Sequence, residues 1–144
     1  MIADCRLKIA DFIGGGPMDP EEMKRRTKEL AKRVIGLCRE LPTTREGRLT
    51  GEQLFRAGTS VGANYRAACR ARSRADFIAK LGVVLEEADE ALYWLEILGE
   101  VGCAKANRLV PLFKEADELI SILVSSLNTA KSATPAKRPP QSAI

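Results

Sequence analysis

Residues 77–98 read FIAKLGVVLEEADEALYWLEIL. Within them Phe77, Leu81, Val84, Ala88, Ala91, Leu95 and Leu98 recur in steps of four and three, an unbroken heptad seam. A strand would alternate apolar and polar residues instead. Ile78, Leu85 and Leu92 lie beside the seam and widen its apolar face enough to touch two neighbouring helices. Ser73-Arg74-Ala75-Asp76 precedes the seam as a helix-capping signature, and Gly102 sits where a C-terminal cap belongs.

Upstream, Thr50-Gly51-Glu52-Gln53 reads as a capping box opening the second helix. That helix carries the stripe Leu54, Ala57, Val61, Tyr65 and Ala68, with Asn64 on the same side as an amide placed to fix register or to bond a backbone. Gly58 and Gly62 each cost about 1 kcal/mol against alanine in a helix interior, so their presence predicts close backbone packing on a neighbour. The first helix opens at Asp19-Pro20-Glu21-Glu22: a cap, a proline preset for the first helical position, and acids at the positive dipole end. Met23, Leu30, Val34, Leu37, Cys38 and Leu41 form its stripe, and Pro42 ends it. A fourth helix is expected from about Asn107 to Lys131, with Pro111 near its first turn.

Four amphipathic helices on short connections predict an all-α fold, an antiparallel up-down four-helix bundle over residues 19–131. Residues 1–18 are expected to be a flexible arm, and residues 132–144, rich in alanine, proline, serine and basic groups, a disordered tail. Gly14-Gly15-Gly16-Pro17 immediately precedes Met18. Glycine codons begin with GG, so this run suits a purine-rich ribosome-binding site, and a start of translation at Met18 is the alternative to a flexible arm over residues 1–18.

Composition narrows the chemistry. The chain has no histidine, which removes Ser-His-Asp triads, Cys-His dyads and His-ligated zinc together. Cys5, Cys38, Cys69 and Cys103 are widely spaced and form no C-x-x-C pair, so partly buried thiols in a reducing compartment are expected, with no metal site and no cofactor. Glu86, Glu87, Asp89 and Glu90 lie mostly off the seam and lack the histidines of a carboxylate di-metal centre. Ser60 and Thr59 have no base beside them in the sequence to make a nucleophile. No run of apolar residues is long enough to cross a membrane, and the N-terminal residues do not resemble a secretion signal. The expected location is the cytoplasm, and no enzymatic activity is expected.

Charge is segregated along the chain. Residues 45–74 hold seven arginines against two glutamates, whereas residues 75–102 hold one lysine against seven acids. At 100° per residue, Arg56, Arg66, Arg70 and Arg74 cluster within about 80°, opposite the apolar stripe of the second helix. Arg25, Lys28, Lys32 and Arg39 cluster within about 60° on the outer side of the first. These eight residues are the candidate nucleic-acid contacts, because guanidinium forks and fixed cations suit phosphate oxygens. A plainly solvated helix face has the same pattern. No aromatics interleave with these arginines, so the expected binding is backbone-led and sequence-tolerant, without base stacking. Tyr93 and Trp94 adjoin the seam and are candidates for a subunit interface or for peripheral core packing.

The segments Gln53-Leu54-Phe55-Arg56-Ala57-Gly58-Thr59-Ser60-Val61-Gly62-Ala63-Asn64-Tyr65-Arg66, Arg72-Ser73-Arg74-Ala75-Asp76-Phe77-Ile78-Ala79-Lys80-Leu81, Glu86-Glu87-Ala88-Asp89-Glu90 and Tyr93-Trp94-Leu95 resemble the bacterial four-helix-bundle family of 23S ribosomal RNA intervening-sequence proteins. The resemblance spans roughly residues 20–130. It implies a protomer that assembles into a homopentamer, and kinship with the accessory variability protein of diversity-generating retroelements. If the gene is retroelement-encoded, it implies a reverse transcriptase as partner. The family name records a genomic location and does not itself imply work on the ribosome. Two functions fit the sequence: a homo-oligomeric bundle binding RNA or DNA through its outer cations, and a structural adaptor that meets another protein. A metal-dependent enzyme is the distant third.

Overall fold

The computed structural model describes residues 19–132. Four helices follow one another: α1 (Pro20–Glu40), α2 (Arg45–Cys69), α3 (Arg74–Glu100) and α4 (Ala106–Ser132). There is no strand among the described residues. None of these helices is long and apolar enough to cross a membrane. The expectations for residues 1–18, including the start at Met18, and for residues 133–144 lie outside the described residues.

Local chemistry sets most of the helix ends as the sequence predicts. Asp19 caps α1 by accepting from the Glu21 N–H at 3.4 Å, with Pro20 at the first helical position. Ser73 caps α3 by accepting from the Asp76 N–H at 3.0 Å. At the far end of α3, Gly102 adopts φ +74, a conformation that glycine enters without a Cβ penalty. The turn there is a Schellman motif: the Cys103 N–H donates to the Leu98 carbonyl and the Gly102 N–H to the Gly99 carbonyl.

The second helix begins earlier than the capping box at Thr50 suggests. Thr44 is the cap, accepting from the Gly47 N–H at 3.2 Å, and Thr50 lies a turn and a half inside α2 with its hydroxyl donating to the Glu46 carbonyl. Gly47 and Gly51 read as helix breakers, yet both are helical, because α2 presses here on the turn that ends α1. A Cβ on Gly47 would collide with the Pro42 carbonyl oxygen, and one on Gly51 would lie 2.8 Å from Leu41 Cδ1. Ser132 also differs from expectation: it is the last residue of α4, not the first of a tail.

The seam of α3 is the centre of the core, with every member at most 2% exposed. Leu54, Ala57, Val61, Tyr65 and Ala68 of α2 are buried with it, as are Leu109, Leu112, Ala116, Leu119 and Leu123 of α4. Neighbours run antiparallel. A Cβ on Gly58 would lie 2.8–3.1 Å from the Val34 side chain, and one on Gly62 3.3 Å from the Thr27 backbone, so the register of α1 falls as that of α2 rises. The expected close approach at these glycines is therefore present. Thr27 is buried as well, and its hydroxyl donates to the Met23 carbonyl at 2.8 Å. Asn64 is only half-buried, and its amide donates to the Ser60 carbonyl of its own helix at 2.9 Å, a local backbone bond. The α1–α4 edge is the sparsest. Ion pairs bridge it: Arg26 to Glu115 at 2.8 Å and to Glu118 at 3.1 Å, and Arg108 to Glu40 at 2.6 Å.

Candidate functional site

The eight cations singled out in the sequence fall into two groups in three dimensions. Four already have partners within the chain. Arg56 crosses to α3, where it pairs with Glu87 at 3.3 Å and with Glu90. The Arg56 hydrogen bond, helped by a second from Trp94 Nε1 at 3.4 Å, holds the Glu90 carboxyl below the ordinary glutamate range. Arg74 is not on α2 at all. The helix ends at Cys69, and Ser73 restarts the chain as α3, so Arg74 belongs to the next element. Its guanidinium donates to the Ala130 carbonyl at 2.7 Å and to the Lys131 carbonyl at 3.2 Å, satisfying acceptors that the end of α4 would otherwise leave to water. Arg25 forks onto Glu22 and Lys32 pairs with Glu29, each one turn away on α1.

Lys28, Arg39, Arg66 and Arg70 form the second group. All four are exposed, and none enters an ion pair among the described residues. Lys28 and Arg66, from different helices, line one groove of about 200 Å³ together with Lys24, Thr59 and Gly62. The groove exists because Gly62 brings α2 down onto Thr27 and because Ala31 and Ala63 add little bulk above that contact. The basic strip thus joins α1 and α2 at this groove, with Arg39 about three turns along α1 from Lys28 and Arg70 at the C-cap of α2. The seven carboxylates of residues 75–102 lie elsewhere, on α3, with Glu86, Asp89, Glu96 and Glu100 exposed.

A second hollow, of about 410 Å³, lies beside the turn between α1 and α2. It brings together Arg39 of α1, Arg48 and Glu52 of α2, the turn residues Leu41 and Pro42, and Phe55, which is 45% exposed. The sequence reading missed Arg48 and Phe55 as partners of Arg39 and set aside base stacking. An aromatic does adjoin the cations: Phe55 follows Arg48 by seven residues on α2, a spacing that places both on one side of the helix, whereas Arg39 meets them only through space, from α1. Cys38 lines the same hollow; its thiol donates to the Gly51 carbonyl at 3.5 Å, and burial pushes it up from its ordinary range. The other side of the Leu41–Pro42 turn borders a cleft of about 550 Å³, reaching Cys103 and Asn107 and flanked by the Arg108–Glu40 pair.

Tyr93 is 52% exposed and stacks edge-on against half-buried Trp94, with ring centroids 5.1 Å apart. Thr59 and Ser60 donate their hydroxyls to the Phe55 and Arg56 carbonyls of their own helix. No group of three or more His, Cys, Asp or Glu side chains among the described residues is placed to hold a metal ion.

A family model described as "23S rRNA-intervening sequence protein" matches residues 21–125. Among solved structures, the chain is similar to a crystal structure of a protein with unknown function from the S23 ribosomal protein family of Bacteroides thetaiotaomicron. The two share 34% identity and a TM-score of 0.72, over 77% of this chain and 99% of that one. No curated protein matches the chain.

Proposed function

The chain belongs to the 23S rRNA-intervening sequence protein family, and from that premise we propose that it is a non-enzymatic, homo-oligomeric bundle that holds the RNA or DNA backbone on the basic strip of α1 and α2. One observation carries the reading. Four exposed cations, Lys28, Arg39, Arg66 and Arg70, stand outside every ion pair among the described residues, and two of them share a groove. A helix face that is merely solvated places acids one turn from its bases, as α1 does for Arg25 and Lys32. Unpaired guanidinium and ammonium groups in a strip keep their charge available for phosphate oxygens. The protein acts in the cytoplasm. Assembly as a homopentamer repeats the strip and multiplies a weak contact through avidity. If the gene is retroelement-encoded, a reverse transcriptase is the partner.

The test is fluorescence anisotropy with a short single-stranded RNA at increasing salt. The expected log affinity falls with log salt by about 0.7 per neutralised phosphate. A variant combining Lys28→Ala, Arg39→Ala, Arg66→Ala and Arg70→Ala flattens that slope. A control combining Arg56→Ala and Arg74→Ala keeps it, because those two side chains serve the fold. No anisotropy change at low salt would falsify the proposal.

The adaptor reading has its own observation. Tyr93 is 52% exposed on the helix that carries Glu86, Asp89 and Glu96. An aromatic among acids suits a basic protein partner. Loss of partner capture on Tyr93→Ala, with RNA binding absent, would favour it.

A further inference from the structure

The hollow at the α1–α2 turn has a shape and a chemistry that the basic strip lacks. Its volume of about 410 Å³ lies within the range of small-ligand sites, whereas the Lys28–Arg66 groove, at about 200 Å³, falls below it. Gly47, Gly51 and Phe55 are spaced by four along α2, so the wall they form spans two turns, about 12 Å. That wall is closed on the other side by Leu41 and Pro42, and Arg39 reaches the hollow from α1. The lining therefore offers an apolar side, an aromatic ring left 45% exposed, and two exposed arginines outside any ion pair among the described residues. Leu54 and Ala57 fill the core beneath it, so Phe55 is left at the surface as part of the wall of the hollow.

A ligand that answers all of these features has a flat apolar face, an anionic group within about 12 Å of it, and a polar edge for the Glu52 carboxylate. We propose that the hollow seats one unstacked nucleotide of a single-stranded nucleic acid, its base against Phe55 and its phosphate at Arg39 and Arg48. The proposal rests on the nucleic-acid reading above and narrows it. A duplex keeps its bases in the stack and reaches only the phosphate-binding cations, so single strands are preferred over duplexes. Arg39 belongs both to the strip and to the hollow, so a strand lying along α1 and α2 delivers a base to Phe55.

The experiment compares binding of an oligouridylate of about 15 nucleotides and of an RNA duplex to the wild-type protein, Phe55→Ala, Phe55→Tyr and Arg48→Ala. Far-ultraviolet circular dichroism and thermal melting confirm that each half-exposed substitution leaves the fold intact. Stacking of one base on one ring predicts that Phe55→Ala weakens single-strand binding about tenfold, and that Phe55→Tyr restores it. Duplex binding is unchanged by either. Arg48→Ala weakens both ligands and lowers the salt slope. Equal single-strand affinity of wild type and Phe55→Ala overturns the nucleotide seat while the basic strip stands. Equal loss of single-strand and duplex binding on Phe55→Ala also overturns it, because stacking is then not the cause. Absence of binding to any variant, wild type included, overturns the strip and the seat together.

Discussion

Gly58 and Gly82 are both helix-interior glycines, yet an added methyl group meets opposite surroundings at the two. At Gly58 it would lie 2.8–3.1 Å from three atoms of Val34, a β-branched side chain with little freedom to turn away. At Gly82 it would meet nothing within 4 Å. Gly58→Ala is therefore expected to lower stability by about 1–2 kcal/mol, overpacking outweighing the gain in helix propensity. Gly82→Ala is expected to raise it by about 0.5–1 kcal/mol. Urea unfolding of the two variants checks both signs, and equal shifts would mean that α1 and α2 are not in close contact. The same scale shows where the sequence was legible and where it was not. Gly58 and Gly62 announced a close approach through their cost. The division of the cations could not be foreseen, because it depends on partners far along the chain. Glu87 and Glu90 lie 31 and 34 residues from Arg56, and the carbonyls that occupy Arg74 lie 56 and 57 residues away. Helical angles sort residues by face; they do not say what the neighbouring helix presents to that face.

At the scale of the element, the helices were legible where side-chain caps and periodicity agreed. Ser73 and the α3 seam point to the same boundary, and the helix begins there. Thr50 misled because Thr-x-x-Gln has the form of a capping box, whereas the true cap, Thr44, has glycine three residues on. Packing against Pro42 and Leu41 selects glycine at positions 47 and 51, and those glycines hide the helix from a propensity reading. The cap at Ser73 has a second consequence. Only four residues, 70–73, separate α2 from α3, and Arg74 immediately after the cap holds the last carbonyls of α4. Ser73→Ala is expected to cost about 1 kcal/mol from the lost Asp76 N–H acceptor. Hydrogen exchange is expected to rise at the start of α3 and at the end of α4 together, because Arg74 couples them. Faster exchange confined to residues 73–77 would show that the Arg74 contacts do not depend on the cap.

On the scale of the whole molecule, α4 carries apolar residues beyond its core stripe. The core stripe of α4 runs through Leu109, Leu112, Ala116, Leu119 and Leu123. One position on, Val110, Phe113, Ile120, Val124 and Leu127 form a second stripe at helical spacing, interrupted only by Asp117. Val110 is 46% exposed and Val124 39%, while the other three are half-buried. Phe113, Ile120 and Leu127 of this stripe pack against the core, as Ile78, Leu85 and Leu92 do on α3, so the two valines are its uncovered part. The proposed homo-oligomer gives this second α4 stripe a partner, a neighbouring copy of the chain, and leaves the cations of α1 and α2 on the outside. Sedimentation velocity is then expected to show the wild-type protein as one species heavier than a monomer. Val110→Asp combined with Val124→Asp is expected to shift it to monomer with its helical circular dichroism kept, since neither residue belongs to the buried core. Oligouridylate affinity is expected to fall with it, because a monomer presents a single basic strip and loses the avidity of the ring. A wild-type protein that sediments as a monomer at high concentration would remove the oligomer from the proposal and leave each strip to bind alone.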